Sequence, residues 1–470
     1  MKIFLIACSS ESSLNSMAPD KFKELSVGHY PPLGLMYLAS YLHEKTGHKA
    51  EILDIEVEPL TPDAAADRAI ASGADAVGFY TTSFNVHIVY RLLRSLRARG
   101  FKGTVILGGP HIELYPEETV SLPGVDIAVV GEGEETLAEL LDCLQGKGGL
   151  AAVKGILYKE NGAPRRTPDR PLLMDLDSLP MPARRLTKYG RYYNVAGMEA
   201  VSTTLMTSRG CPFRCNFCFV QYGGCYRFRS AASVVREIED CVSLGIREFF
   251  FFDEIFTADK KRAAAICDAI VEKKLDISFT IRSRVDTMDA PLLAKLKAAG
   301  CERVQYGVES GTDEILAAMN KRITVAQVRE TVRITKEAGL EMLLDFMIGY
   351  PGETEEQIRR SVAFARELDP DFAIFGVTTF YPGIKIYKEA LAAGRIDDFW
   401  RGVAAAPPER LTPPFASDRF TRPQLERMLR RAYLSFYSRP SYMLRRLSKI
   451  SSPRALLRQA KAGWDLLRGN

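Results

Sequence analysis

Cys211, Cys215 and Cys218 lie in the run Ser208-Arg-Gly-Cys-Pro-Phe-Arg-Cys-Asn-Phe-Cys-Phe219, a C-x3-C-x2-C spacing. Three thiolates on one short loop can wrap one corner of a cubane iron–sulfur cluster, which normally takes four cysteines. A loop with three leaves one iron open to a small ligand. Zinc is the rival reading, but a closed structural zinc site wants four N or S ligands, commonly as paired C-x2-C knuckles. No second knuckle or His pair follows in the sequence. Cys225, seven residues after Cys218, reads as a fourth ligand, an acid/base or a bystander. Cys8, Cys143, Cys241, Cys267 and Cys301 sit in apolar strand or helix patterns and read as small buried hydrophobes.

The elements that must position the cysteine loop are βα units. From Thr203 onward, strands are expected near Thr203–Ser208, Glu248–Asp253, Ser278–Arg282, Arg303–Val308, Leu343–Ile348 and Phe372–Thr378. Helices are expected between them, at Ala232–Leu244, Lys260–Lys273, Ala290–Ala299, Val325–Ala338, Thr354–Leu368 and Ile386–Ala393. Active residues in βα barrels lie at the C-terminal ends of strands, which is where the cysteines fall. Other strand ends are polar too: Asp253-Glu254, Arg282-Ser-Arg284, Gly307-Val-Glu-Ser-Gly311 and Gly349-Tyr-Pro-Gly-Glu353.

Residues 1–145 carry a second βαβα rhythm, with strands at Lys2–Ala7, Ala50–Ile55, Ala76–Tyr80, Thr104–Leu107 and Ile127–Val130. Helices are expected at Pro32–Lys45, Pro62–Ala71, Val86–Arg99, Glu117–Ser121 and Glu134–Leu144. This predicts a doubly wound parallel sheet, whose ligands sit at the carboxyl ends of strands. Those ends carry Tyr80-Thr-Thr-Ser-Phe-Asn85, Gly108-Gly-Pro-His111 and Gly131-Glu-Gly-Glu134. Residues 146–200 are rich in Gly, Pro and charge and read as a linker, with a small hairpin around Asn161-Gly162.

The cysteine spacing, with an aromatic residue just before the third Cys, resembles the radical S-adenosylmethionine (SAM) superfamily. The Pro31-Pro-Leu-Gly34, Gly108-Gly-Pro-His111 and Gly131-Glu-Gly-Glu-Glu-Thr136 runs extend the resemblance to members that carry a cobalamin-binding domain. It implies a Rossmann-like cobalamin domain, a partial (β/α)6 barrel over 201–400 and a helical region over 401–470. The implied cofactors are a [4Fe–4S] cluster on Cys211, Cys215 and Cys218, SAM and cobalamin. By resemblance, SAM would meet the Phe217 backbone, Asp253, Glu254, Arg282, Glu309, Ser310 and the Gly349–Gly352 turn. Cobalamin would be held by Thr81, Thr82, Ser83, Gly108, Gly109, Glu132 and Gly133. The D-x-H-x-x-G motif that ligates cobalt from below is absent, and His87 reads as a helix-surface residue. The implied reaction is reductive cleavage of SAM to a 5′-deoxyadenosyl radical, with methyl transfer to an unactivated carbon of a small or lipid-like metabolite. A reductant such as flavodoxin or ferredoxin is implied as partner. The family also contains a tetrapyrrole ring cyclase and oxidative rearrangement enzymes, so these reactions stay open.

The chain has 470 residues, 46% hydrophobic and 26% charged, which fits two to three globular domains. No stretch of roughly twenty uncharged apolar residues is present, and the apolar start reads as a buried first strand. Cysteines without a secretion signal argue for a reducing cytoplasm. The net charge of +5 hides an uneven distribution: from Thr421 to Asn470 there are 12 Lys/Arg against Glu426 and Asp465. Tyr433, Phe436, Tyr437, Tyr442 and Trp464 interleave with these bases, and Ser451–Arg468 reads as a second basic helix. This suits peripheral contact with a membrane's inner face, or a helical cap on the barrel. No RNA-binding module accompanies the tail, so nucleic acid is not expected. A cobalamin or redox sensor is the non-enzyme alternative. An RNA methylthiotransferase is disfavoured because residues 1–145 hold only Cys8 and Cys143.

Overall fold

A computed structural model describes residues 1–8, 29–193, 201–219 and 224–448. The chain forms two compact units, the first built mainly from Pro31–Tyr192 with Glu389–Thr412, the second mainly from Tyr193–Lys388 with the segment from Pro413.

In the first unit, β1 (Lys2–Ala7), β2 (Lys49–Asp54), β3 (Ala76–Tyr80), β4 (Thr104–Gly108) and β5 (Ile127–Val129) pair in parallel in the order β2-β1-β3-β4-β5. Alternate residues of β1 enter different cores: Phe4 and Ile6 join one cluster, Ile3, Leu5 and Ala7 the other. With a period of two, these cores lie on opposite faces of the sheet. Thr61 caps the helix Pro62–Ala71 by accepting from the Ala64 N–H, and Pro62 at its first position suits the fixed φ of a helix start.

The expected hairpin forms as β6 (Ile156–Glu160) and β7 (Ala163–Arg166), but it does more than connect. β6 pairs antiparallel with β5, so the sheet has seven strands. The helix Phe399–Ala405, which straddles the expected boundary between barrel and C-terminal region, belongs to this unit: Trp400 is fully buried, 5.2 Å from the Phe84 ring. His87 is buried in the first turn of the helix Val86–Ala98, which corrects its reading as a surface residue.

In the second unit, β8 (Ser202–Leu205), β11 (Glu248–Phe251), β12 (Ser278–Ser283), β13 (Cys301–Glu309), β14 (Glu341–Ile348) and β15 (Phe372–Val377) form an all-parallel six-stranded sheet in sequence order. Between β8 and β11, β9 (Ser208–Arg209) and β10 (Arg227–Phe228) pair antiparallel. Thr324 and Thr354 start the helices Val325–Glu337 and Glu355–Leu368 with capping boxes to Gln327 and Gln357. Along β12, β13 and β14 buried residues alternate with half-buried ones. Tyr306, in the buried register, hydrogen-bonds Thr335 of the helix Val325–Glu337 at 3.0 Å. The buried register therefore faces the helices. Thr280, Arg282, Gln305, Leu343 and Asp345 face the concave side.

The helix Arg422–Tyr437 closes the sheet at β15. Tyr433 Oη donates to the Phe375 carbonyl (3.0 Å) and accepts from the Phe375 N–H (3.3 Å). Tyr437 Oη does the same with Ala373, at 2.9 and 3.2 Å, and Tyr442 Oη donates to the Asp371 carbonyl. Two tyrosines four residues apart on a helix rise by about 6 Å. Two strand residues of one register are about 6.6 Å apart. The spacings match, and the hydroxyls satisfy an edge that would otherwise invite a further strand. Tyr433, Phe436 and Tyr442 are buried by this packing. The aromatic residues that suggested membrane contact are thus spent inside the protein, so the cap is the reading that stands for 422–448. Trp464 and the second basic helix lie outside the described residues. No described helix is long and apolar enough to cross a membrane.

The tyrosine cap predicts that Tyr433→Phe and Tyr437→Phe each lower stability by about 1–3 kcal/mol, because each leaves strand backbone groups unpaired. Denaturant unfolding checks this, and packing-neutral Phe variants with unchanged midpoints would contradict it.

Candidate active site

The cysteine loop leaves the sheet after β8. Its base is closed by the two-residue β9–β10 ribbon, which pairs Arg209 with Arg227 and Ser208 with Phe228. Gly210 sits there at φ 81°, with its α-carbon against the Cys225 carbonyl, so no side chain fits. Cys225 therefore lies at the base of the loop rather than at its tip. Asp253, 1% exposed, accepts from the Thr207 N–H (2.6 Å), the Ser208 N–H (2.8 Å) and the Thr207 hydroxyl. Arg262 stands 3.7 Å behind it and donates to the Thr207 carbonyl and hydroxyl. The resemblance assigned Asp253 to SAM; the structure spends its carboxylate on the loop's base instead.

The tip is fastened as well. Asn216 donates through its backbone to the Met319 carbonyl (2.9 Å) and through its side chain to the Ala318 carbonyl (2.8 Å). Asn320 returns a bond to the Arg214 carbonyl, and the Ile386 N–H donates to Asn216. The loop is thus tied to the end of the helix Asp313–Ala318 and to the start of the helix Lys385–Ala392.

Cys211 and Cys215 are half-buried and Cys218 is exposed. Burial raises the Cys211 thiol, Glu254 and Cys215 add to this, and the Phe213 N–H and Arg284 oppose it. Cys218 meets solvent at its surface but is crowded by protein within a wider radius. That desolvation, with Glu254 and the other two sulfurs, pushes it up to about 12. A metal centre would displace these protons on binding. Among the described residues, no three His, Cys, Asp or Glu side chains converge as a set for a single metal ion. A cubane asks for less convergence, since each thiolate meets a different iron. The three-thiol loop suits it better than mononuclear zinc, which needs a fourth donor.

The guanidinium of Arg284, 2% exposed, lies against the loop. It donates to Cys215 Sγ at 3.6 Å, sits 3.9 Å from the centre of the Phe213 ring, and holds Asp286 through two bonds of 2.9 Å. In sequence Arg284 is one polar residue among several at strand ends, with nothing nearby to mark its role.

On the concave side, Arg282 is stacked on Phe252 (4.5 Å) and Phe250 (5.0 Å), with Tyr30 against the same rings. Glu254 meets solvent at its surface, yet crowding by surrounding protein raises its carboxyl above the ordinary value, with Arg282 opposing and Asp253 adding to the shift. Glu309 has φ 70°, uncommon for a non-glycine residue and found where surroundings enforce it. Its carboxylate pairs with Lys321 at 2.8 Å. A side chain at Gly307 would press on the ends of that pair and make it shift. The Lys321 ammonium also lies 5.8 Å from the Phe217 ring. Asp345 accepts from Gln305 at 2.7 Å; burial and Glu309 push it up to about 7, against Gln305, Arg282 and Lys321. Neither Lys321 nor Asp345 stands in a recognisable motif, so the sequence alone does not mark them.

Two further expectations need correction. Ser310 is fully buried, with its hydroxyl bonded to Thr312 and Ser361, so that hydroxyl serves the loop's interior rather than SAM. Gly349 turns its α-carbon toward Leu425, while its N–H and that of Tyr350 donate to buried Glu353. Gly352 donates to Asp418. The turn is closed by the C-terminal segment and not opened to a ligand at Gly349.

In the first unit, the loops after β3 and β4 meet: the Thr81 N–H donates to Gly108 and the His111 N–H to Thr81. Gly109, at φ 111°, would drive a side chain to 2.7 Å from the Thr81 carbonyl. Thr82 and Asn85 exchange local bonds that begin the next helix. Ser83 Oγ is 2.8 Å from His111 Nδ1, and burial pushes the His111 imidazole down to about 4, hence neutral. Thr81 Oγ1 and His111 Nε2 are buried with no hydrogen-bond partner among the described residues. A polar ligand at this glycine cradle would complete both, which fits a cobalamin tail. Glu132 accepts from the Leu173 N–H, and Gly133 lies close to the Leu38 side chain, which leaves little room for a larger residue.

Comparison with known proteins agrees with this arrangement. The Radical SAM superfamily matches residues 205–365, and the B12 binding domain matches residues 25–141. The chain is 35% identical to an uncharacterised methyltransferase of Pyrococcus horikoshii, over 95% of this chain and 94% of that one. It is 27% identical to the anaerobic magnesium-protoporphyrin IX monomethyl ester cyclase of Rubrivivax gelatinosus, over 79% of this chain and 68% of that one. In fold it is similar to the radical SAM methyltransferase TsrM of Kitasatospora setae, with a TM-score of 0.71 and 21% identity over 83% and 78% of the two chains. The chain belongs to the cobalamin-binding radical SAM enzymes, in the family of the cobalamin-dependent radical SAM methyltransferases. Its cofactors are those of that family: a [4Fe–4S] cluster, SAM and cobalamin.

Two outcomes are expected from this geometry. Asp253→Ala unpairs the buried Arg262 and two N–H groups, at a cost of about 3–5 kcal/mol, and lowers iron retained after anaerobic reconstitution. Iron analysis beside thermal unfolding checks both. For Asp345, half-buried on the concave side and crowded by protein, the protonated form is favoured. Its stabilising effect is complete below the ordinary carboxylate value near 3.8 and is lost as pH rises through about 7. Asp345→Asn should therefore flatten the fall in thermal midpoint across that window relative to the unsubstituted protein.

Proposed function

We propose that this protein is a C-methyltransferase that acts on an unactivated carbon of a small metabolite bearing polar groups. The observation that carries this reading is the fastened three-cysteine loop at the C-terminal end of a parallel barrel, in a chain that also holds the β3–β4 glycine cradle. When bound, the cluster and SAM supply a radical that abstracts hydrogen, and cobalamin supplies the methyl group. The chain's own residues hold and orient. Cys211, Cys215 and Cys218 would ligate the cluster, which Asp253, Arg262 and Asn216 keep in place through the loop. Arg282, the Glu309–Lys321 pair and the Phe217 backbone would face SAM. Thr81, Ser83 and His111 would meet cobalamin beside Gly108 and Gly109.

The substrate reading follows from the concave wall. Arg282, Gln305, Asp345 and the Arg303–Glu341 pair make it polar, while Tyr30, Phe250 and Phe252 give it flat apolar surface. A wall of this kind favours a polar or aromatic small molecule over a lipid, and the lipid-like expectation loses support with the buried tyrosines of the C-terminal helix. Asp345, with its pKa near neutrality, could hold or release a proton at its carboxyl oxygen. A low-potential electron donor of the flavodoxin or ferredoxin class would reduce the enzyme.

The second reading is a radical cyclase, favoured by the 27% identity to the Rubrivivax enzyme. Anaerobically reconstituted protein, loaded with hydroxocobalamin and given SAM deuterated at its methyl group, separates the two. Methyl transfer predicts a substrate product that carries the deuterated methyl. Substrate conversion with 5′-deoxyadenosine formed but no label in the product would replace methyl transfer by the cyclase reading.

A further inference from the structure

The buried guanidinium of Arg284 is unusual in what it touches. Its Nη1 donates to the sulfur of Cys215 at 3.6 Å, its plane lies over Phe213 of the same loop, and its Nη2 also donates to the Lys321 carbonyl at 2.6 Å. A cation this deeply buried needs a partner, and Asp286 supplies one through two bonds of 2.9 Å. An N–H donated to a ligating sulfur and a positive charge nearby both favour the more negative, reduced state of an iron–sulfur cluster. They act strongly here because little solvent screens them.

We propose that Arg284 raises the reduction potential of the cluster held by the Cys211–Cys218 loop, with Asp286 setting how much of the guanidinium charge the cluster feels. The proposal rests on the reading of that loop as the cluster site. The redox step is the transfer of one electron from a low-potential donor of the flavodoxin or ferredoxin class. The donor is oxidised by one electron and the cluster is reduced by one. A higher cluster potential makes that transfer more favourable. Arg284 is a positioning residue in this account: it acts through the Cys215 sulfur and touches no substrate atom.

A brace and a tuning residue differ in the sign of what their variants do. Arg284→Met removes the charge and the N–H donor and leaves Asp286 uncompensated, so the midpoint potential should shift down. Asp286→Asn leaves the guanidinium charge uncompensated beside the sulfur, so the potential should shift up. Arg284→Lys keeps the charge but loses the forked donor, and should fall between Arg284→Met and the unsubstituted protein. The measurement is a redox titration of the anaerobically reconstituted proteins without SAM, followed by electron paramagnetic resonance of the reduced cluster. Iron and sulfide are assayed first. Unsubstituted protein that takes up no cluster would refute the cluster reading itself. Variants that load the cluster and shift in opposite directions support the proposal. Loaded variants with unchanged potentials, or with shifts of one sign, overturn it. If neither Arg284→Met nor Asp286→Asn retains iron while the unsubstituted protein does, Arg284 is a structural brace and the proposal falls. If only one loads, the sign of its shift decides.

Discussion

Asp253 is the carboxylate on which the site depends. Three thiols on one loop act together only if the loop's backbone has one conformation, and a glycine-started loop has no reason of its own to keep one. Asp253 removes that freedom by accepting from two consecutive N–H groups and a hydroxyl at the point where the chain leaves β8. It is buried, so each bond competes with no water, and its charge is met by Arg262. The β9–β10 ribbon and the Asn216 bonds then fix the rest, and Arg284 closes the space behind Cys215. The network joins β8, β11, β12 and the end of β13, so the six-stranded sheet and the cysteine loop are one construction.

An open parallel sheet brings a second constraint, because its last strand has unpaired backbone groups. The usual protections are charge, a bulge or a covering element. Here the cover is chemical as well as steric. Tyrosine hydroxyls both donate and accept, so Tyr433 and Tyr437 can each serve one N–H and one carbonyl of β15. The same helix sends Leu425 against Gly349, which ties the edge to the turn after β14. The C-terminal segment is therefore part of the barrel's integrity, and its aromatic residues are read correctly only in contact with that strand.

In the first unit, the carboxyl edge of the parallel strands is shaped by what it lacks. Gly109 leaves space no side chain could occupy, and burial keeps His111 neutral beside Ser83. Polar atoms left unpaired in a buried position are costly unless a ligand meets them. That cost marks the β3–β4 loops more sharply than their glycine content does.

The sequence by itself determined the elements and the cysteines. Six barrel strands and the helices between them follow from the period of apolar residues, and the thiol loop from spacing within eight residues, both of which are local properties. Cys8, Cys143, Cys241, Cys267 and Cys301 are buried, as their apolar neighbours implied. What the tertiary structure alone decided is the work of residues whose partners are far along the chain. Asp253 finds Thr207 across 46 positions, Ser310 finds Ser361 across 51, Arg284 finds Cys215 across 69, and Tyr433 finds Phe375 across 58. A polar residue at a strand end looks the same in sequence whether it turns toward a ligand or into its own protein. Which way it turns depends on the packing of neighbouring strands and on which buried donors must be satisfied, and no pattern of nearby residues carries that information.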